Sequence, residues 1–142
     1  MTQKAAMLLP MIILVIFTFG MMLWMLKMRI RSVIEDGVDP RHFKLYKPTE
    51  LPDYLLKVTH NYHNLVEMPP LFYLALIVLV TLNITDIVYV ILSWAFLFSR
   101  FAHTYVHTTS NRLMLRRNVF IVSMLILFIL WIRVAISVIT MT

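Results

Sequence analysis

The sequence predicts an all-α integral membrane protein, a protomer of four transmembrane helices packed as a bundle. Three observations carry that prediction. Hydrophobic residues make up 61% of the 142 and the mean hydropathy is +0.82, more apolar surface than a soluble domain of this size can bury, so lipid is the expected solvent. The apolar runs are of helical length and the chain holds only two glycines, which suits helices and not a barrel, whose strands would alternate polar and apolar. Charges are sparse within those runs and gathered between them.

The elements follow in order within a single domain, residues 1–142, with helices expected at about 5–28, 57–82, 86–108 and 115–140 and a loop over about 29–56. The first apolar segment, Ala5 to Leu26, is about 22 residues, enough to cross a hydrocarbon core of roughly 30 Å. It is too long for a secretory signal, no A-x-A-like site follows it, and only Lys4 precedes it among nearby charges. Pro10 and Gly20 are expected to bend it. The second segment starts polar near Lys57 and is fully apolar from Met68 to about Leu82. The third runs from Ile87 to Phe98 and continues, more polar, through His107. The fourth, Val119 to Ile139, carries one charge, Arg133, deep enough to require a partner that the sequence does not name.

Charge placement sets an expected orientation. Lys27, Arg29, Arg31, Arg41, Lys44, Lys47 and Lys57 lie in or beside the first loop, and Arg100, Arg112, Arg116 and Arg117 in or beside the third. Together they are 11 of the 13 basic residues; the second loop, around Asn83–Asp86, holds none. The positive-inside rule then puts loops one and three in the cytoplasm and both ends of the chain on the other side. The net charge of +6 is thereby a topology signal, and no nucleic-acid partner is expected. Cysteine is absent, which removes disulfides, a thiolate nucleophile and cysteine metal sites. The first loop carries turn chemistry at Asp36-Gly37, Asp39-Pro40, Pro48 and Pro52. It is too short for a core of its own and is expected to pack on the helix ends or on a neighbouring subunit.

Polar residues concentrate where the second segment enters the membrane. His60, His63, Asn64 and Glu67 fall at i, i+3, i+4 and i+7, so a helix aligns them on one face. A carboxylate at that depth costs a few kcal/mol and is rarely left without a partner or a task. Glu67 either pairs with a basic residue of another helix or subunit, or grips a cationic group of a ligand. With Asn64 one turn earlier, it offers donor and acceptors suited to a zwitterion such as a peptide. Pro69 and Pro70 remove two N–H groups just beyond, and the ring of Pro70 crowds the Val66 carbonyl, so the helix is expected to open there.

His103 and His107 stand at i and i+4, with Arg100 one turn earlier. That spacing could chelate a metal if His60 and His63 converged on it. The alternative is hydrogen bonding between helices, and five histidines are too few for a histidine-box di-iron site; no metal is expected. The third cluster, Asn111–Asn118, holds Arg112, Arg116 and Arg117. These arginines either snorkel to headgroups or turn inward toward Glu67 or an anionic ligand.

The run His63-Asn64-Leu65-Val66-Glu67-Met68-Pro69, followed by Leu71-Phe72-Tyr73, resembles the N-x-x-E-x-P signature of the MAPEG superfamily, membrane-associated proteins in eicosanoid and glutathione metabolism. Arg100-x-x-His103-x-x-x-His107, the Thr108–Arg112 run, the four-span layout and the long first loop extend the resemblance over nearly the whole chain. Its H-N-L-x-E-M-P and N-R forms look most like bacterial members, which implies a bacterial inner membrane.

The resemblance implies a homotrimer with ligand sites between subunits near the cytoplasmic face, where glutathione acts as co-substrate and its thiolate attacks lipophilic electrophiles, peroxides or epoxides. Asn64 and Glu67 match the ligand-contacting Asn and Glu, and Arg116, with Arg112 beside it, matches the basic positions that hold glutathione or lower its thiol pKa; Arg116 is the expected catalytic residue. His60, His63, Arg100, His103 and His107 complete the expected ligand-binding set. The sequence departs from the best-studied glutathione-using members at His60 and His63, which are arginines there, and at His107 and Phe120, where tyrosines are found. Histidine lacks the guanidinium fork. The expected function is therefore a transferase or peroxidase using glutathione or another thiol, the alternative being a non-catalytic member that binds a lipid or a partner protein.

Overall fold

The computed structural model describes residues 2–45 and 50–141; Lys47 and Pro48 lie outside the described residues. These are helices joined by short turns, and four stretches of helix are long and apolar enough to cross a membrane. Helix α1 spans Gln3–Ile34 and a short α2 spans Arg41–Leu45. The second crossing consists of α3, Asp53–Glu67, and α4, Pro69–Thr81. Helix α5 spans Ile87–Thr108 and α6 spans Leu113–Ile139. The protein is an all-α, four-span membrane bundle.

Helix α1 starts at Thr2, whose hydroxyl accepts from the Ala5 N–H at 3.2 Å, a normal N-cap. It runs past the expected end near residue 28, because Lys27, Met28, Arg29 and Arg31 are good helix formers. Gly37, at φ +69°, turns the chain away in a conformation open to glycine. Pro10 does not interrupt α1. It withholds the N–H that would have reached the Ala6 carbonyl, and that carbonyl accepts instead from Trp94 Nε1 of α5 at 3.1 Å. A helix defect on α1 thus becomes a cross-link to α5.

The second crossing bends at Met68, between α3 and α4. Pro69 and Pro70 leave the Leu65 and Val66 carbonyls without their i+4 donors, the opening the proline pair predicts. The bend changes the neighbours of the chain. The α3 backbone runs beside α1 and α5, whereas that of α4 runs beside α1 and α6. Trp131 of α6 ties this upper half down, donating Nε1 to the Leu71 carbonyl at 3.1 Å. Phe72 of α4 stacks on Phe96 of α5 with centroids 4.5 Å apart, and Phe17 of α1 meets Phe101 of α5 edge-on at 4.7 Å. Leu14, Leu65, Leu76, Tyr89 and Leu130 complete the core between them. Ile16, Phe19 and Leu23 on α1, and Leu125, Phe128 and Ile129 on α6, face outward, the natural surface for lipid or a neighbouring copy.

The turn between α4 and α5 closes the non-basic end. Asn83, at φ +57°, lets the Ile84 N–H reach the Leu79 carbonyl at 2.9 Å and its own N–H reach that of Val80 at 3.2 Å, a Schellman stop. Asp86 then caps α5, accepting from the Val88 and Tyr89 N–H groups at 2.7 and 3.2 Å. Its other oxygen accepts from Arg133 Nη2 at 2.6 Å. This is the partner of Arg133 that the sequence left unnamed. The guanidinium also lies 4.9 Å from the Tyr89 ring centroid, and the Tyr89 hydroxyl donates to the Arg133 carbonyl at 3.1 Å and pairs with Ser137 Oγ at 2.7 Å. Partial burial alone would raise the Asp86 pKa, but the Arg133 bond and the two backbone N–H groups outweigh it and hold the carboxyl below its ordinary range.

Candidate functional site

At the basic end the α3 and α6 backbones make no close approach, and a cleft of about 400 Å³ lies between them. Helix α3 lines it with His60 and Asn64, one turn apart, and α5 with His103 and His107, also one turn apart. Helix α6 contributes Leu113, Arg116, Arg117 and Phe120, an i, i+3, i+4, i+7 stripe. Among the described residues, none that lines the cleft is acidic.

Arg100 lies behind it, fully buried. Its Nη2 donates to Asn64 twice, to the side-chain oxygen and to the main-chain carbonyl at 3.4 Å. Its Nε and Nη1 have no acceptor among the described residues, and neither His103 Nδ1 nor His107 Nδ1 has a partner. Asn61 and Thr104, buried nearby in sequence on the same two helices, are unpartnered at Nδ2, Oδ1 and Oγ1. The His103 and His107 rings sit 5.5 Å apart, and His103 is 5.8 Å from Phe120. So many buried, unused polar atoms in a lipid-embedded bundle call for water or a ligand.

Arg116 is held from behind. Its Nη1 donates to Asn111 Oδ1 at 2.7 Å. Asn111 takes the left-handed conformation, φ +47°, and its own N–H reaches back to the Val106 carbonyl at 2.8 Å. The α5–α6 turn therefore aims the guanidinium. A smaller recess of about 210 Å³ shares His60, His107 and Arg116 with the cleft and adds Asp53 and Lys57.

The polar face expected on α3 is divided by its neighbours. The buried stripe of that helix is Leu55, Val58, Asn61 and Leu65. His60 and Asn64 flank the stripe on the α5–α6 side, whereas His63 faces a separate recess against α1 and α2. Glu67 projects opposite the stripe and is exposed; among the described residues it takes part in no ion pair. Arg112 caps α6 by its backbone and is exposed. The structure thus gathers His60, Asn64, Arg100, His103, His107 and Arg116, and puts His63, Glu67 and Arg112 outside that group. Among the described residues, no set of three or more His, Asp or Glu is arranged to hold a metal ion.

Three cleft residues, Leu113, Arg117 and Phe120, were not in the expected binding set, although their helical register with Arg116 is the signal that finds them. Asn111 as the support of Arg116 carries no such signal, since it depends on a left-handed turn.

The MAPEG family model matches residues 7–136 of the chain. The chain belongs to the MAPEG family. No curated protein and no solved structure matches it. As a MAPEG protein it is an integral membrane protein of the glutathione- and eicosanoid-metabolism type, in a family whose members are typically oligomeric. The N-x-x-E-x-P run of the MAPEG signature is the segment in which this protein bends, and its asparagine, Asn64, lines the cleft and holds Arg100.

Proposed function

We propose that this MAPEG protein is a membrane-bound transferase or peroxidase that uses glutathione, or another small thiol, against lipophilic electrophiles. Its ligand lies between neighbouring copies of the chain in a homotrimer, at the cytoplasmic side of a bacterial inner membrane. The observation that carries the reading is the cleft, where cationic and imidazole groups from three helices converge with no acidic side chain among its lining residues.

A thiol held there ionises more readily, because a neighbouring guanidinium favours the thiolate, and the thiolate is the nucleophile. Arg116 takes that role: Asn111 fixes one end of its fork and the remaining N–H groups are left for the ligand. His60 and Asn64 stand on the opposite wall to orient it. With an epoxide, the thiolate forms a C–S bond as the ring C–O bond breaks, and the oxygen takes up a proton. With a hydroperoxide, it displaces an alcohol from the O–O bond, and a second thiol reduces the resulting sulfenic acid to a disulfide and water. No covalent enzyme intermediate is required; the protein binds, orients and activates. Glu67 supports the intersubunit position, because an exposed carboxylate on a membrane helix wants a partner from outside its own protomer.

Calorimetric titration of reduced glutathione into detergent-purified protein tests this. Saturable heat is expected, weakened by about tenfold or more in Arg116→Gln and lost in Glu67→Gln. Absence of heat up to millimolar glutathione sinks it. One observation favours a second reading: imidazoles at His60 and His63 replace the forks expected to clamp carboxylates. A non-catalytic member that binds a lipid or a partner protein would form trimers and retain tightly bound lipid while ignoring the thiol.

A further inference from the structure

A groove of about 290 Å³ runs between the middle of α1 and the bend of the second crossing, where Leu65, Val66 and Pro70 form one wall. Two of its lining residues, Phe19 and Val66, are exposed, so it opens sideways from the bundle. Among the described residues, none that lines it is charged. It shares no residue with the basic cleft against α5 and α6.

Its depth follows from the α1 sequence. The lining residues of that helix run from Val15 to Met22, and Lys27 marks the basic end of the apolar run. At 1.5 Å of rise per residue the groove lies about 8–18 Å inside that charge, among acyl chains and beyond the reach of bulk water.

Polar atoms at that depth need partners, and those of the groove are arranged as acceptors. Pro70 has no N–H for the Val66 carbonyl, and Pro69 has none for that of Leu65; both residues belong to the groove wall. The Thr18 hydroxyl donates to the Leu14 carbonyl at 2.8 Å and so accepts from the Tyr73 hydroxyl that it meets. The Tyr73 oxygen is then left with its lone pairs. Tyr62 adds a hydroxyl that can serve either way. A bare acyl chain offers these acceptors nothing, and neither do the outward side chains of α6, such as Leu125, Phe128 and Ile129.

We propose that the groove binds an uncharged lipid with a free hydroxyl, such as a diacylglycerol. Its O–H donates to the acceptors at the bend, the freed carbonyls and Tyr73, and its chain lies along α1. The space equals that of about ten waters, room for the hydroxyl-bearing end and the first carbons of one chain, with the remainder in the bilayer. This site is independent of the thiol chemistry assigned to the cleft.

Native mass spectrometry of the full-length protein in non-ionic detergent compares retention of a diacylglycerol with that of its O-methyl ether, which keeps the shape and loses the donor. The wild-type protein is expected to prefer the free alcohol by at least about tenfold. Pro70→Ala returns an N–H to the Val66 carbonyl and should bring that preference close to unity. Leu74→Ala, on an exposed part of α4 outside the groove, leaves it intact. Equal retention of the two lipids by the wild-type protein overturns the proposal, as does a preference that survives in Pro70→Ala. Val15→Trp fills the groove from α1. Loss of the lipid with the oligomer mass unchanged supports the site, whereas loss of the oligomer with lipid retention unchanged assigns the groove to a second copy of the chain and overturns it. If Pro70→Ala does not fold, Tyr73→Phe removes an acceptor from the same groove, and an unchanged preference there overturns the proposal as well.

Discussion

The two ends of the bundle handle the same difficulty, polar groups in an apolar solvent, in opposite ways. At the end formed by the α4–α5 turn, each feature described is matched by a neighbour. Pro10 frees the Ala6 carbonyl and Trp94 takes it; Arg133 enters the membrane and Asp86 meets it. At the basic end, Pro69 and Pro70 open a helix, cations line a cleft without an acidic partner, and Arg100, His103 and His107 keep unused polar atoms. Closed pairing is what stability alone requires. The open pairing at the other end is compatible with stability only if something else arrives, and that is the physical content of a binding site.

The contrast can be broken most severely at Asn64. Asn64→Ala removes the side chain that receives Arg100 and should cost about 2–4 kcal/mol in detergent unfolding. Adding Arg100→Met should recover most of it, since the orphaned charge is then gone. A small loss in the single variant would mean that water already serves Arg100 from the cleft. At the paired end, Trp94→Phe keeps an aromatic ring, though a smaller one, and abandons the Ala6 carbonyl, at about 1–3 kcal/mol. A neutral result would show that the Pro10 defect needs no repair.

Replacing Pro69 and Pro70 together by alanine sharpens the comparison differently. The helix regains two N–H groups and straightens, drawing α3 toward α6. Glutathione binding should fall about tenfold, equivalent to roughly 1.4 kcal/mol, with melting temperature unchanged or raised. Undiminished binding would separate the bend from the cleft. The smallest effect is expected at Asp86. Asp86→Asn keeps an N-cap but gives up the ion pair, which is 39% exposed on both sides and so worth under about 1 kcal/mol. Because the folded carboxyl titrates below its ordinary value of 3.8, its contribution is complete above that pH and disappears as pH falls through the folded pKa. The wild-type advantage over Asp86→Asn should therefore vanish in acid; an advantage that persists there would assign the effect to packing.

Much of the architecture was legible in the sequence because a bilayer acts on every residue of a span alike, and four apolar runs between basic loops leave little choice of fold. The bend was legible too, since Pro69 and Pro70 act on carbonyls a fixed four residues away. The Arg133–Asp86 pair was not. It joins residues 47 apart across two helices whose relative height no local pattern encodes. The α3 face was half legible: helical spacing brings His60, His63, Asn64 and Glu67 within one arc, but which neighbour covers which side of the arc is decided by how α1 and α6 pack. Asn111 was hidden for a related reason, because its role depends on a turn conformation and not on its distance along the chain.

The Asp86 clasp has one more consequence, for the thickness of the surrounding bilayer. Helix α6 carries arginines near both ends, Arg117 and Arg133, sixteen residues apart. At 1.5 Å of rise per residue they stand about 24 Å apart along the axis, less than the roughly 30 Å of a typical hydrocarbon core. A free arginine would absorb the mismatch by stretching outward, but Arg133 is tethered to the start of another helix and cannot follow a thicker leaflet. Lipid is the softer partner and yields first, by local thinning or by helix tilt. Bilayers with longer acyl chains are therefore expected to lower its stability in step with chain length, which melting in vesicles of graded chain length checks.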